Sequence, residues 1–375
     1  MTTRTAFRRS NALIILFTFL TSGLTLAQTG RSSPPQVEIL GTQLQHLSSA
    51  IVGQEYDLYV NLPRGYQDTT RTFPVIFLLD GQWDFPLVQA IFGEQYYDGF
   101  VPAAITVGIT WGGVNPNYDS LRARDFTPTH LEQAPQSGGG PKFLKFIKDE
   151  LIPYIESTYR TTKKGRTLIG SSLGGLFTLY ALFHETELFD RYVLTSPAAG
   201  WDNEILCTYE KEYAAKNVQL PVRVFIGVGG LEVGGAAEFQ KFVTQMKSRS
   251  YRDLELETKV IDGIGHSGSK AEGYTRGLQA VFARPSLTLG PSVLDQYLGR
   301  YQVTPQFNLE ITKVSGNLLL LAPGNVRIPL LAESDTSFYV KGMYLLVRFK
   351  KNEAGKVSGF ELEQFTGMQF VQKVS

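Results

Sequence analysis

A serine hydroxyl is a poor nucleophile at neutral pH. A protein that uses one must hold it out on a strained turn and put a base beside it. The stretch Thr167-Leu168-Ile169-Gly170-Ser171-Ser172-Leu173-Gly174-Gly175-Leu176 has the form of such a turn. A short apolar run leads into Gly-x-Ser-x-Gly, and a helical pattern follows over 173–183. Strand, sharp turn, helix is the order a nucleophile elbow requires. Ser172 is the central residue, because Ser171 in that place would need a small residue at 169, where the chain carries Ile169. Gly170 and Gly174 are expected where strand and helix approach too closely for a side chain. The bland alternative is an ordinary glycine-rich turn.

The base should follow in chain order, and an acid should lie between serine and base to orient it. His266 stands in Asp262-Gly263-Ile264-Gly265-His266-Ser267-Gly268, a glycine-rich stretch just after an alternating, strand-like run. The chain has three other histidines. His46 precedes the expected core, and His184 lies more than three helical turns beyond the serine. His130, in a long loop, is the real rival. For the acid, Glu232 in Val228-Gly229-Gly230-Leu231-Glu232 follows a buried strand directly. Asp202, Glu204 and Asp262 are alternatives, as is a Ser-His dyad with no strong acid. An oxyanion needs preorganised backbone N–H donors. The amide of Leu173 opens the helix after the nucleophile, and the amide of Gln82 follows the strand that ends Leu78-Leu79-Asp80-Gly81. Trp83, Phe85, Trp111 and Trp201 could line an acyl or aryl pocket; with aromatics at 12% of the chain they serve equally well as core.

These residues need a scaffold that brings scattered loops to one edge. Continuous apolar runs at 73–80, 103–109, 192–195 and 222–228 read as strands buried on both faces. The run 55–63 alternates as a half-buried strand, and 254–261 alternates like an edge strand. Helical spacing recurs over 141–159, 173–183, 236–250 and 268–282, and Pro116 to Gly140 reads as loop. Strands alternating with helices imply an α/β fold, a doubly wound and mostly parallel sheet whose ligand sites lie at the carboxyl ends of strands. Each candidate residue follows such a strand. After Arg284-Pro285 the helical period disappears. Short alternating runs such as 307–314, 318–321, 345–349 and 359–364 are separated by tight turns. They predict a small antiparallel β domain, a meander or barrel. The expected organisation is a signal peptide over 1–27, a catalytic domain over 28–285 and an accessory β domain over 286–375.

The 36 basic and 35 acidic residues nearly cancel, so neither nucleic acid nor an acidic surface is indicated as a partner. The single cysteine, Cys207, excludes an intramolecular disulfide and a cysteine metal cluster. No histidine spacing signals a metal, and no cofactor is expected. Arg4, Arg8 and Arg9 precede an apolar core over 12–20, and Thr25-Leu26-Ala27 suits cleavage before Gln28. The pattern predicts export to the periplasm or outside the cell, with no membrane span left after cleavage. The polar lead-in from Gln28 to Gln36 contains Pro34-Pro35. Oligomeric state is not readable.

Several stretches in order resemble the esterase family of α/β-hydrolases that includes siderophore esterases, feruloyl and acetyl-xylan esterases, S-formylglutathione hydrolase and mycolyltransferases. His46 through Leu62-Pro63-Arg64-Gly65-Tyr66 is similar to its leading strand. Leu78-Leu79-Asp80-Gly81 resembles its oxyanion segment, and Arg122-Ala123-Arg124-Asp125-Phe126-Thr127-Pro128 its siderophore-branch loop. Gly170 to Gly175 is the elbow, Ser196-Pro197 with Trp201 is similar to a Ser-Pro-x-x-Trp-Trp stretch, and Gly229-Gly230-Leu231-Glu232 with His266 completes the order. The resemblance spans about 40–283 and implies ester hydrolysis of a small molecule by Ser172, His266 and Glu232, with Gln82 as second oxyanion donor. It also implies a pocket role for Arg124 and Asp125, against the alternative of a loop-stapling ion pair. The tail around Leu294-Asp295-Gln296-Tyr297-Leu298-Gly299-Arg300-Tyr301 resembles lipocalin-like β domains appended to bacterial hydrolases. Acyl transfer to a sugar or lipid would use the same residues, and a non-catalytic binding protein on this scaffold is the alternative from another class.

Overall fold

The computed structural model describes residues 37–232 and 236–374. The expected signal peptide and most of the polar lead-in lie outside the described residues. Among those described, eight strands form one sheet: β1 Thr42–Ser49, β2 Gln54–Asn61, β3 Val75–Leu78, β4 Ile105–Trp111, β5 Thr167–Ser171, β6 Arg191–Thr195, β7 Arg223–Gly229 and β8 Glu255–Ile261. Their spatial order is β1-β2-β4-β3-β5-β6-β7-β8. β1 and β2 are antiparallel to each other and β2 to β4. From β4 across to β8 every pairing is parallel. This is the doubly wound, mostly parallel sheet that the alternating pattern implies.

The apolar runs are continuous because both faces are covered. Side chains alternate across a strand, so Ile76 and Leu78 enter one core with Ile169, Val193 and Phe225. Val75, Phe77 and Leu79 enter the other, with Leu168, Phe177 and Tyr192. The first core is closed by α1 (Gly81–Tyr97) through Phe85, Val88 and Phe92, and by α8 (Ser269–Val281) through Tyr274, Leu278 and Val281. The second takes α5 (Leu173–His184), α7 (Ala236–Ser248) and a long helical segment before β5. That segment runs as α3 (Gly140–Phe146), a π-turn (Ile147–Leu151) and α4 (Ile152–Thr158).

One segment departs from the sequence reading, and a second lies where the sequence signalled no element. The polar stretch read as loop holds a helix, α2 (Tyr118–Phe126), whose start is capped by Asn117 Oδ1 accepting from the Ser120 amide at 3.1 Å. Its composition is polar because only Asp125 and Phe126 are buried. After β6 comes α6 (Trp201–Ala214), in which Asp202, Asn203 and Glu204 take left-handed φ of 45, 53 and 63°. Local propensity gives no warning of that turn, since non-glycine residues disfavour it by about 1–2 kcal/mol each.

The C-terminal strands are β9 Gly299–Thr304, β10 Phe307–Val314, β11 Asn317–Ala322, β12 Val326–Ala332, β13 Ser337–Tyr339, β14 Leu345–Lys351, β15 Val357–Gln364 and β16 Gly367–Lys373. They close a barrel, antiparallel throughout. Its interior is filled by side chains. Tyr297 stacks on Phe349 with centroids 4.0 Å apart, and Tyr301, Phe338 and Phe360 complete an aromatic core. The barrel abuts the α/β part at the end of α1. Tyr96 lies against Tyr344 and Tyr97 against Phe365, both at 5.0 Å, and the Arg64 guanidinium covers Phe365. No helix of the described residues is long and apolar enough to cross a membrane.

α8 reaches the sheet through glycines one turn apart. A methyl at Gly273 would strike Thr195, and one at Gly277 would strike Val193 and Phe225. Gly277→Ala is therefore expected to lower stability by about 1–3 kcal/mol, the usual range for overpacking a dense core. A urea midpoint that falls with unchanged slope is the check.

Candidate active site

Ser172 sits between β5 and α5 with φ 58° and ψ −119°. A non-glycine residue takes that conformation only where its surroundings hold it there. The holding comes from the backbone of the next strand: Ser172 N donates to the Thr195 carbonyl and Ala198 N to the Ser172 carbonyl, both at 3.1 Å. Close approach explains one of the two expected glycines. A methyl at Gly170 would lie 2.5 Å from the Gly174 carbonyl oxygen and 2.6 Å from Thr178 Oγ1. At Gly174 the nearest atom would be 3.5 Å away, an ordinary contact, so that part of the reading is corrected. The second tight glycine is Gly175, where a methyl would lie 3.0 Å from Pro197 Cα.

Glu232 and His266 follow β7 and β8 at the same edge. His266 Nδ1 lies 2.8 Å from Glu232 Oε2. The histidine side chain is half exposed and the carboxylate nearly buried. Glu232 Oε1 accepts from the Gly229 amide at 2.7 Å and from Ser196 Oγ. Burial works to raise the Glu232 carboxyl, but the hydrogen bonds from Ser196, His266 and Gly229 outweigh it and hold it below its ordinary value. It is thus an anion oriented toward a ring nitrogen, the arrangement that fixes an imidazole's tautomer and supports its charged form. Among the described residues no hydrogen bond joins Ser172 Oγ to His266; bonds of this kind commonly tighten only in the substrate complex.

Leu173 and Gln82 occupy the first turns of α5 and α1. Amides there lack intrahelical acceptors and sit at the positive end of the helix dipole, which favours a developing negative charge. The start of α1 is fixed by its preceding residue. Asp80, at φ 56° and 1% exposed, receives Arg122 Nε at 2.6 Å and Nη2 at 2.9 Å. Asp84, one turn on, receives Lys270 Nζ and the Tyr274 hydroxyl, each at 2.7 Å.

The other sequence candidates fall in different places. Trp83 is 46% exposed, with the Arg122 guanidinium over its ring. Arg124 grips its neighbour Asp125 through Nε at 2.7 Å and Nη2 at 2.9 Å. Asp125 is fully buried and also accepts from the Tyr56 hydroxyl and Trp111 Nε1, both at 2.7 Å. Trp111 and Phe85 are buried, whereas Trp201 is half-buried with Nε1 on Thr129 Oγ1 at 3.0 Å. Of the rival histidines, His46 pairs with Asp57, His130 Nδ1 lies 3.3 Å from the Ser137 carbonyl, and His184 bonds the Tyr180 carbonyl one turn back. Glu204 pairs with Lys241, and Asp262 is exposed. Sequence reasoning named Ser196 only within the Ser-Pro stretch and missed its contact with Glu232, and it missed Ser269 altogether. Ser196 had a signal, since it follows a strand at the same edge in Thr195-Ser196-Pro197; Ser269 had none. Among the described residues no group of His, Cys, Asp and Glu is placed to hold a metal ion.

The model of the family described as "Putative esterase" matches residues 48–269. The chain belongs to that family. It is a carboxylic ester hydrolase. Residues 283–373 match a second family, a domain of unknown function, DUF3471. The ferri-bacillibactin esterase BesA of Bacillus subtilis is 30% identical over 249 residues, 61% of this chain and 85% of its own. The BES protein of Bacillus cereus superposes with a TM-score of 0.60 at 25% identity, covering 67% of this esterase and 98% of that chain. An IroE-like serine hydrolase from Shewanella oneidensis gives 0.58 at 26%, covering 68% and 85%. The clefts along the joint with the barrel, about 660 Å³ beside Arg64 and Phe365 and about 460 Å³ beside Arg276 and Tyr339, are lined by none of the candidate catalytic residues.

Arg122→Met should strand the Asp80 carboxylate in the interior, at a penalty of about 3–5 kcal/mol. Burial already raises the Asp80 carboxyl against the opposing pull of Arg122, and without that cation it rises further, so the folded variant binds the proton still more tightly than the unfolded chain. The variant's stability then falls as pH rises through that raised value and recovers toward acid. Denaturant midpoints of native and variant esterase at pH 5 and pH 8 test this, with the larger gap expected at pH 8.

Proposed function

We propose that this esterase is an exported serine enzyme that hydrolyses ester bonds in a siderophore-type small molecule. Ser172 is the nucleophile, His266 the base and Glu232 the orienting acid, with the amides of Leu173 and Gln82 receiving the oxyanion. The single observation that carries the reading is the 2.8 Å contact from His266 Nδ1 to an ionised, hydrogen-bonded Glu232, at the strand edge where Ser172 occupies its strained turn. That contact leaves Nε2 as the free ring nitrogen. It takes the Ser172 proton as Oγ bonds to the ester carbonyl carbon. The tetrahedral oxyanion collapses, His266 returns the proton to the departing alkoxide, and the acyl group stays on Oγ. Water then attacks with the same proton shuttle and releases the acid.

Export rests on the basic, apolar and small-residue pattern of the first 27 residues. We also place the division between catalytic and accessory parts at 285/286, where helical periodicity ends. The siderophore class rests on the likeness to the ferri-bacillibactin esterase.

Ser172→Ala is expected to abolish hydrolysis of a p-nitrophenyl ester and labelling by a fluorophosphonate, with the fold retained. Glu232→Gln should lower kcat by about 10⁴-fold, as losing the orienting acid does in a Ser-His-Asp enzyme. Full activity in Ser172→Ala would sink the mechanism. The substrate class is tested separately: kcat/KM should be higher for a ferric catecholate siderophore than for feruloyl or acetyl sugars, and the reverse ranking removes the siderophore assignment alone.

A further inference from the structure

The orienting acid is itself held by a hydroxyl pair. Ser196 has φ 46° and is 2% exposed, and its Oγ donates to Glu232 Oε1. It also lies 2.7 Å from Ser269 Oγ. Ser269 is fully buried, and its Oγ donates to the His266 carbonyl at 2.6 Å. Three loops that follow three adjacent strands therefore meet at two hydroxyls: β6 supplies Ser196, β7 supplies Glu232, and the segment after β8 supplies His266 and Ser269.

Resting on the serine-esterase reading, we propose that Ser196 is a positioning residue for the reaction. It occupies Glu232 Oε1 so that Oε2 is presented to His266, and through Ser269 it ties the acid to the backbone of the base. A carboxylate has two near-equivalent oxygens and rotates about its terminal torsion. With the Gly229 amide and Ser196 both on Oε1, turning the carboxylate plane away from His266 would also break these two hydrogen bonds.

Counting protons ranks the two serines. An ionised Glu232 donates nothing, so Ser196 and Ser269 bring two hydroxyl protons to three contacts. The charged acceptor takes the Ser196 proton, because bonds to ionised groups are roughly twice as strong. The Ser269 proton is divided between a neutral carbonyl and a neutral hydroxyl. Ser196 is thus the member whose loss frees the acid, and Ser269 supports it.

The backbone supplies the control. Glycine adopts φ 46° freely and alanine does not, so Ser196→Gly and Ser196→Ala both lose the hydroxyl but only the alanine strains the chain. Expected is a kcat about 10- to 100-fold below native in both, with KM for a short ester unchanged and with the alanine variant melting lower than the glycine variant. Ser269→Ala should lose less. A role in stability alone predicts instead that kcat follows the melting temperature. A Ser196→Gly enzyme within twofold of native, a kcat that tracks stability, or a greater loss in Ser269→Ala than in the Ser196 variants would each overturn the proposal. Ser172→Ala, assayed alongside, separates the readings: an active Ser172→Ala removes the mechanism itself, whereas an inert Ser172→Ala beside a native-like Ser196→Gly removes only the positioning role.

Discussion

The candidate site depends on how closely α5 lies against β5. The separation leaves no room for a methyl group at Gly170, which would meet Gly174 and Thr178. Any larger residue there would push the helix out and unwind the turn between them. Yet the elbow is not held by its own glycines alone. The end of β6 closes on it through the Thr195 carbonyl, the Ala198 amide and the Pro197 ring against Gly175. The same segment, 195–198, carries Ser196 into the acid network. The Ser172 backbone and the Glu232 side chain are thus referenced to one short segment.

Behind that edge lies a set of buried carboxylates, each with a cation. Asp80 meets Arg122, Asp84 meets Lys270, and Asp125 meets Arg124. Desolvation cancels most of the Coulombic gain of such pairs, so they are weak evidence for stability. Their geometry is the stronger argument. Asp80 and Arg122 tie the start of α1, where the Gln82 amide lies, to α2. Asp84 ties the same turn to Lys270 and Tyr274 of α8, the helix that follows His266. The Gln82 amide is thereby fixed from two sides, and a backbone donor fixed in advance needs no rearrangement when it meets a developing charge. The Arg124–Asp125 pair, with Tyr56 and Trp111 on the same carboxylate, anchors the end of α2 to the sheet.

Much of this was legible in the sequence because burial on both faces writes itself as apolar runs. β3, β4, β6 and β7 stand within a few residues of their expected places, and the expected antiparallel β domain is the closed barrel. The elbow was legible because its constraint is local: a glycine, a serine and an apolar flank. Ser196 stood at a strand end in the sequence, but its meeting with Ser269 was hidden because it is set by sheet order. Serines 73 positions apart meet only when β6, β7 and β8 are neighbours. α2 was hidden because it buries two residues, leaving no amphipathic stripe. The left-handed turn at Asp202–Glu204 runs against propensity at three successive residues, so only the packing around it can select it.

The barrel enters the same geometry from the opposite end. Its interior is closed by Tyr297, Tyr301, Phe338, Phe349 and Phe360, so what it contributes is made through its outer surface. There it meets α1 and the chain that leaves α8. Tyr96 and Tyr97 press on Tyr344 and Phe365, a methyl at Gly99 would lie 2.6 Å from the Met343 carbonyl, Arg284 pairs with Glu333, and Leu287 bridges to Ala332. Near that end Gln95 and Gln279 join α1 to α8 at 2.6 Å. At the other end the same two helices are joined by Asp84, beside the Gln82 amide and downstream of His266. The barrel therefore lies against the far ends of the two helices whose near ends carry the Gln82 amide and follow His266.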